Sequence, residues 1–406
     1  MSPSPIGQDG THLNPAGDAV ASPSAAVRLL FVSHSFPPAD RPLTNVGGMQ
    51  RVATELHGAL ARHPEVELST LVLRCSWRWT HVRTALFLPR AIWTIRRLAR
   101  RRENEAVLFS SLVTGSLVLL LQRKLRQLGV RTLAIAHGDD VILPVGLYQR
   151  VLPKVLGALD AVLPVSRATA QACIGRGAPA ERVHVIPNGV DPERFSPLPP
   201  EAPPRRELLG RLGLLDSCAL PDDALLLCST GRQVARKGFA WFVGQVMPLL
   251  PANVHYWLVG RGPETEKIRD AIARHGLDQR VRLLGSLSDP DLQAVYRSAD
   301  LYVMPNLPVK DTMEGFGVVM LEAGMCGTPT IGARLEGIED VIAEGENGHL
   351  VESGNAQAFA DAVGYYNRNR SALRDLRPRT ASRTSQFAWK TVANRHVEIV
   401  RDVLKR

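Results

Sequence analysis

The sequence predicts an α/β protein made of two Rossmann-like, doubly wound domains that face each other across a ligand cleft. Three features carry this expectation. The chain has 406 residues, too many for one core of about 100–200 residues. Its ordered part opens with an apolar run, a glycine loop and a helix-periodic segment, the start of a doubly wound unit. The same alternation restarts after a proline-rich break, and two such sheets hold ligands beyond the carboxyl ends of their strands.

Residues 1–26 are rich in Ser, Pro, Ala and Gly and contain neither a basic n-region nor an apolar h-region, so they read as a flexible tail rather than a signal peptide. The N-terminal domain is expected over 27–196. VRLLFVSHSF is its first buried strand, Gly47-Gly48 its loop and MQRVATELHGALARH its first helix. Further strand-like runs lie at 68–73, 106–110, 131–136 and 161–164, separated by helix-periodic segments such as LPRAIWTIRRLARR. Residues 197–223, with PLPPEAPPRRE, form the linker. The second domain is expected over 224–378, with strands in ALLLCST, VHYWLVG, VRLLGS, DLYVMP and TPTIGA. Its helices are WFVGQVMPLL, ETEKIRDAIARHG, DPDLQAVYRSA and VVMLEAGMCG. Residues 379–406 read as a last helix whose apolar positions Val392, Val397, Ile399 and Val403 are expected to pack back on the N-terminal domain.

Composition narrows the function classes. A formal charge of +10, from 49 Lys and Arg against 39 Asp and Glu, favours phosphates, nucleic acid or an acidic membrane surface without choosing among them. No basic run is interleaved with stacking aromatics, so nucleic acid is not expected as a partner. The five cysteines are scattered and form neither a CxxC pair nor a Cys/His cluster, which fits a reduced, cytoplasmic setting and no metal. The longest apolar stretch, 111–121, is far shorter than the roughly 18–20 residues of a membrane span.

The chemistry concentrates in MEGFGVVMLEAGMCGTPT, residues 313–330. Gly315 and Gly317 flank Phe316 and let the backbone approach a ligand closely. A helix starting near Gly317 and Val318 would aim free N–H groups at an anion. Seven residues separate Glu314 from Glu322, which puts the carboxylates roughly 12 Å apart on a helix. That is too long for a glycoside-hydrolase pair at about 5–9.5 Å, so they read as two separate hydroxyl-binding groups. In GRQVARKGF, Arg232 and Lys237 follow a strand and can neutralise a diphosphate together with a helix N-terminus. It is not a Walker loop, because Arg236 precedes the lysine and Gly238 follows it. An exposed basic loop would look the same in isolation.

These segments resemble the EX7E signature and its surroundings in the family 4 retaining glycosyltransferases of the GT-B fold, over about residues 27–375. The resemblance implies that Glu314 contacts the donor sugar, Glu322 holds the ribose hydroxyls, and Arg232 and Lys237 bind the donor diphosphate. Gly47 and Gly48 would meet that diphosphate from across the cleft, and His137 in LAIAHGDD would orient the donor, although a single His after a strand is also an ordinary structural residue. Gly315, Phe316, Gly317 and Val318 complete the implied donor site. LGSLSD, with Leu287 and Asp289, matches the nucleobase loop; Asp289 would accept from a guanine edge, with a helix N-cap as the alternative reading. VHVIPNGVDPERF, residues 183–195, looks like the family's end of the N-terminal domain, while NLPVKDT before Glu314 is a longer insertion. The implied reaction is transfer of a hexose-type sugar from a GDP- or UDP-sugar to a lipid-linked, polysaccharide or small-molecule hydroxyl. It proceeds with retention and without metal or other cofactor, the nucleotide sugar being a co-substrate. A nucleotide-sugar epimerase and a non-catalytic sugar-nucleotide-binding subunit are the alternatives.

Residues 74–102 carry nine arginines and no acidic residue, with Trp77, Trp79, Phe87 and Trp93 among them. They read either as a basic surface for anionic lipid, giving a peripheral protein at the inner face of the membrane, or as a domain helix with arginines on its wet side.

Overall fold

The computed structural model describes residues 26–38, 48–74, 80–197, 205–211 and 220–406. The first sheet has five parallel strands: β1 (Val27–Phe36), β2 (Val66–Arg74), β3 (Ala106–Phe109), β4 (Arg131–Ala136) and β5 (Ala161–Pro164). Their order is β2-β1-β3-β4-β5, with Leu29 opposite both Leu68 and Ala106. The second has six parallel strands: β6 (Leu225–Thr230), β7 (Val254–Val259), β8 (Val281–Gly285), β9 (Leu301–Met304), β10 (Thr330–Arg334) and β11 (Gly348–Glu352), in the order β11-β10-β9-β6-β7-β8. Both orders reverse direction at the middle of the sheet, the switch that leaves a crevice at the strands' carboxyl ends. Every residue of β3, β5, β6, β7 and β9 is buried, as a parallel strand covered on both faces requires.

Two departures from the expected elements have clear causes. WFVGQVMPLL is not one α-helix: it winds irregularly over Phe239–Trp241, Phe242–Val246 and Met247–Leu249, where Gly244 and Pro248 weaken the regular ladder. The segment expected as one terminal helix is two, Arg370–Ser385 and Trp389–Lys405, so the boundary placed at 378/379 falls inside the first of them. The chain crosses between domains at 386–388 instead. That crossing lies beside residues 183–195: the amide of Val190 donates to the Phe387 carbonyl at 2.9 Å, and the Trp389 amide donates to the Val190 carbonyl at 3.2 Å. A Cβ on Gly189 would sit 2.4 Å from a ring carbon of Trp389, so only glycine lets the indole lie on this backbone. The helix Trp389–Lys405 then buries Val392, Val397, Val400 and Val403 in the same core as Leu56 and Leu60 of the helix Gly48–Ala61. Among the described residues no helix is long and apolar enough to cross a membrane.

Candidate active site in the cleft

The loop between β9 and the helix Val318–Met325 carries Glu314 to the cleft. Gly317 caps that helix with φ 83°, a left-handed conformation that favours glycine. A Cβ on Gly315 would lie 1.9 Å from the carbonyl oxygen of His137, so this glycine lets the backbones of the two domains touch. Glu314 is buried. Its Oε2 accepts from Lys237 Nζ at 2.6 Å, from Asn306 Nδ2 at 2.9 Å and from Arg236. Burial alone would raise its pKa, but Lys237 and Arg236 beside it hold the carboxyl below the ordinary carboxylate range. Burial lowers the pKa of Lys237, which Glu314 opposes. The buried Oδ1 of Asn306 has no hydrogen-bond partner among the described residues.

Glu322, buried one turn into the following helix, is held differently. Its Oε1 accepts from Arg51 at 2.6 Å and its Oε2 from the Tyr296 hydroxyl at 3.0 Å. Burial pushes its pKa up against these partners. Arg51 belongs to the helix Gly48–Ala61 of the opposite domain, so this contact spans the cleft. Arg51 is also 3.4 Å from Glu55 and 3.9 Å from Asp289. Arg194, from the segment 183–195, pairs with both Asp289 and Glu55, and the Trp389 indole N–H donates to Glu55. Burial raises Glu55 to about 7 despite Arg51 and Trp389.

The sequence-predicted residues are therefore brought together only in part. Lys237, Glu314, Gly315 and His137 meet at one point. His137 Nε2 lies 2.8 Å from the Ser110 carbonyl, which can only accept, so Nε2 carries the proton and Nδ1 is left as the acceptor. Its amide donates to buried Asp140 at 2.7 Å, and Asp140 also caps Leu112 N at 3.0 Å. Arg232 is exposed in the loop after β6 and does not reach Glu314; Arg236 does, and it lies 4.0 Å from Asp139 across the cleft. Phe316 is a core residue against Phe387, ring centroids 5.9 Å apart, rather than an open donor contact. Ser288, not Asp289, caps the helix Asp289–Ser298, and the Asp289 carboxylate is engaged by Arg194 instead of standing free for a base edge. Leu287 is partly buried against the core, and Val318 opens its helix half-buried. Gly48 starts the first helix with open space around it, and Gly47 lies outside the described residues. Arg51, Arg236 and Asn306 were missed. Arg236 and Asn306 sat within segments already singled out, whereas nothing local marks Arg51, whose partner is 271 residues away. Among the described residues no three His, Cys, Asp or Glu side chains cluster as a metal site.

Residues 46–194 match the family model described as Glycosyltransferase Family 4, and residues 224–368 match that of Glycosyl transferases group 1. The chain belongs to the family 4 glycosyltransferases. A D-inositol 3-phosphate glycosyltransferase of Xylanimonas cellulosilytica is 32% identical over 68% of this chain and 64% of its own length. A GDP-mannose-dependent alpha-(1-6)-phosphatidylinositol monomannoside mannosyltransferase of Mycolicibacterium smegmatis is 28% identical over 83% of this chain and 88% of its own. Among solved structures, HepE of Anabaena in complex with UDP superposes with a TM-score of 0.71 at 18% identity, covering 92% of this chain and 99% of that one. Sucrose-phosphate synthase of Thermosynechococcus elongatus gives 0.71 at 21% identity, covering 93% and 99%. At such identities the likeness is one of fold, and it makes this family 4 glycosyltransferase a GT-B protein.

Proposed function

We propose that the enzyme transfers a hexose-type sugar from a nucleoside-diphosphate sugar, a GDP- or UDP-sugar, to a hydroxyl of a lipid-linked, polysaccharide or small-molecule acceptor, with retention at the anomeric carbon. The observation that carries this is Glu314. Its Oε2 is held by three donors, one of them the amide of buried Asn306, while Oε1 makes no hydrogen bond to a described residue. Such a carboxylate oxygen suits a sugar hydroxyl, which donates. Lys237 and Arg236, with Arg232 from the same loop, supply countercharge as the diphosphate leaves, which is the charge the transition state develops. With that charge supplied by side chains, the reading calls for no metal. Glu322 takes the ribose hydroxyls once the nucleotide displaces Arg51, and His137 accepts a donor hydroxyl through Nδ1. Three described cysteines are free and buried, in keeping with a cytoplasmic protein.

The named relatives are transferases and include users of GDP-mannose and of inositol-based acceptors; none gives support to the epimerase alternative. The test is incubation with GDP-mannose, UDP-glucose and inositol phosphate or phosphatidylinositol acceptors, with proton NMR of the product's anomeric centre. An α-linked product from an α-linked donor, formed equally well with EDTA, is the expected result. An inverted product or an EDTA-abolished reaction would overturn the stereochemical or the metal claim respectively.

A further inference from the structure

We propose that the helix Thr80–Arg100, with the exposed apolar residues of the segment 143–147, forms a docking surface for an anionic phospholipid bilayer. The helix packs on its sheet through buried Ala91, Ile95 and Ala99. On the opposite side, Leu86, Arg90, Trp93, Arg97 and Arg100 follow one another every three or four residues, and so form one stripe along the helix. An ordinary wet face would be polar throughout. This one exposes Leu86 by 76% and Trp93 by 61%, with the Arg97 guanidinium 5.3 Å from the Trp93 ring centroid. None of the helix's 21 residues is acidic.

The helix Val118–Gln127 packs between the helix Thr80–Arg100 and the helix Gly146–Ala158, and all three expose apolar side chains. Arg96 Nη2 donates to the Leu120 carbonyl at 2.8 Å, and Leu120, on the helix Val118–Gln127, is 62% exposed. Leu143 and Val145 stand on the turn after the short helix Asp139–Ile142, and Leu147, 74% exposed, in the first turn of the helix Gly146–Ala158 that follows it. Six of the ten exposed large apolar side chains among the described residues lie in or beside these three helices, which argues against singly scattered surface residues. Apolar side chains framed by arginines, with no carboxylate on the helix, match a surface of negative headgroups over an apolar interior, and the interfacial preference of Trp matches the boundary between them. A protein partner with an acidic rim round an apolar centre would meet the same side chains, and it predicts that the protein stays in the supernatant with anionic and neutral vesicles alike.

Topology adds an orientation. The helix Thr80–Arg100 follows β2, and the segment 143–147 comes after the short helix Asp139–Ile142 that follows β4. Both connections therefore begin at the carboxyl edge of the sheet, beside the cleft. A bilayer on this face lies next to the cleft mouth, where a lipid-linked acceptor enters sideways; this last step rests on the proposed transfer, whereas the docking itself does not.

Co-sedimentation at low salt with phosphatidylcholine vesicles, with and without phosphatidylglycerol, tests the surface without donor or acceptor. The protein binds the anionic vesicles, binds neutral ones far less, and is released by salt. Leu86→Ser with Trp93→Ser weakens partitioning at least about tenfold. Arg90→Gln and Arg97→Gln weaken it about fivefold each. Leu249→Ser, an exposed apolar change on the other domain, leaves it as it was. Wild type that stays in the supernatant with anionic vesicles, binds neutral ones equally, or is indifferent to all four substitutions in the stripe overturns the proposal. Nucleotide binding by the same variants is a separate readout, so a failed docking surface and a failed donor site are told apart.

Discussion

At Glu314 three donors converge on one carboxylate oxygen and leave the other without a partner among the described residues. Removing one donor therefore changes the chemistry more than the packing. Lys237→Met keeps the length and apolar stem of the side chain while deleting its charge, and is expected to lower kcat by about 100-fold or more, as the loss of a transition-state countercharge does. Far-UV circular dichroism should stay unchanged, since Arg236 and Asn306 still hold the carboxylate. A second residue-scale prediction concerns Glu55, whose folded pKa is raised to about 7 from 4.5 by burial. A raised carboxyl pKa means that the native state keeps a proton the unfolded chain has lost. The stability contributed by Glu55 is thus complete below about pH 4.5 and is lost as pH rises through about 7. Melting curves of wild type and Glu55→Gln across that window should converge at the acid end and separate toward neutrality, with the wild type losing ground to the variant.

Elements rather than single residues decide how the domains are tied. The helix Trp389–Lys405 belongs to the second half of the chain yet packs in the core with the first helix of the other domain. Trp389 anchors it against Gly189 and Glu55. Trp389→Ala is expected to cost about 3–5 kcal/mol, as for other buried aromatics, read as a lower denaturant midpoint. The elements were largely legible in the sequence because parallel strands buried on both faces, such as β3, β5, β6, β7 and β9, appear as unbroken apolar runs; β2 and β8, half-buried at sheet edges, showed as the mixed runs LSTLVL and VRLLG. β11 was not legible, because GHLVE interrupts its apolar residues with a histidine and ends in a glutamate at an open sheet edge. The apolar stretch 111–121 also hid a break, since Ser111 caps a four-residue helix, Leu112–Gly115, before the next begins. The site was legible where chemistry is local, as in Glu314 and Lys237. It was not where partners come from opposite domains, because no spacing rule links Arg51 to Glu322 or Arg194 to Asp289, and none says which of two arginines near Lys237 reaches the glutamate.

The whole molecule is held shut across the cleft by polar contacts of one domain with the other: Arg51 with Glu322, Arg194 with Asp289, Arg167 with Asp340, and the Met313 amide with Asp139 at 3.2 Å. Between them the backbone of Gly315 lies against that of His137. Gly315→Ala places a Cβ where the His137 carbonyl stands and should wedge the domains apart. Small-angle scattering is expected to report a larger radius of gyration, and donor turnover to fall, while each domain keeps its own core. On the proposed function, a nucleotide sugar binds in this cleft through Lys237 and Glu322. Calorimetric titration with UDP, GDP and ADP, on wild type, Lys237→Ala and Glu322→Ala, tests it most directly. Selective binding of one nucleoside diphosphate, lost or strongly weakened in both variants, is the expected result. Binding that survives both substitutions, or no binding of any nucleotide by the wild type, would contradict it.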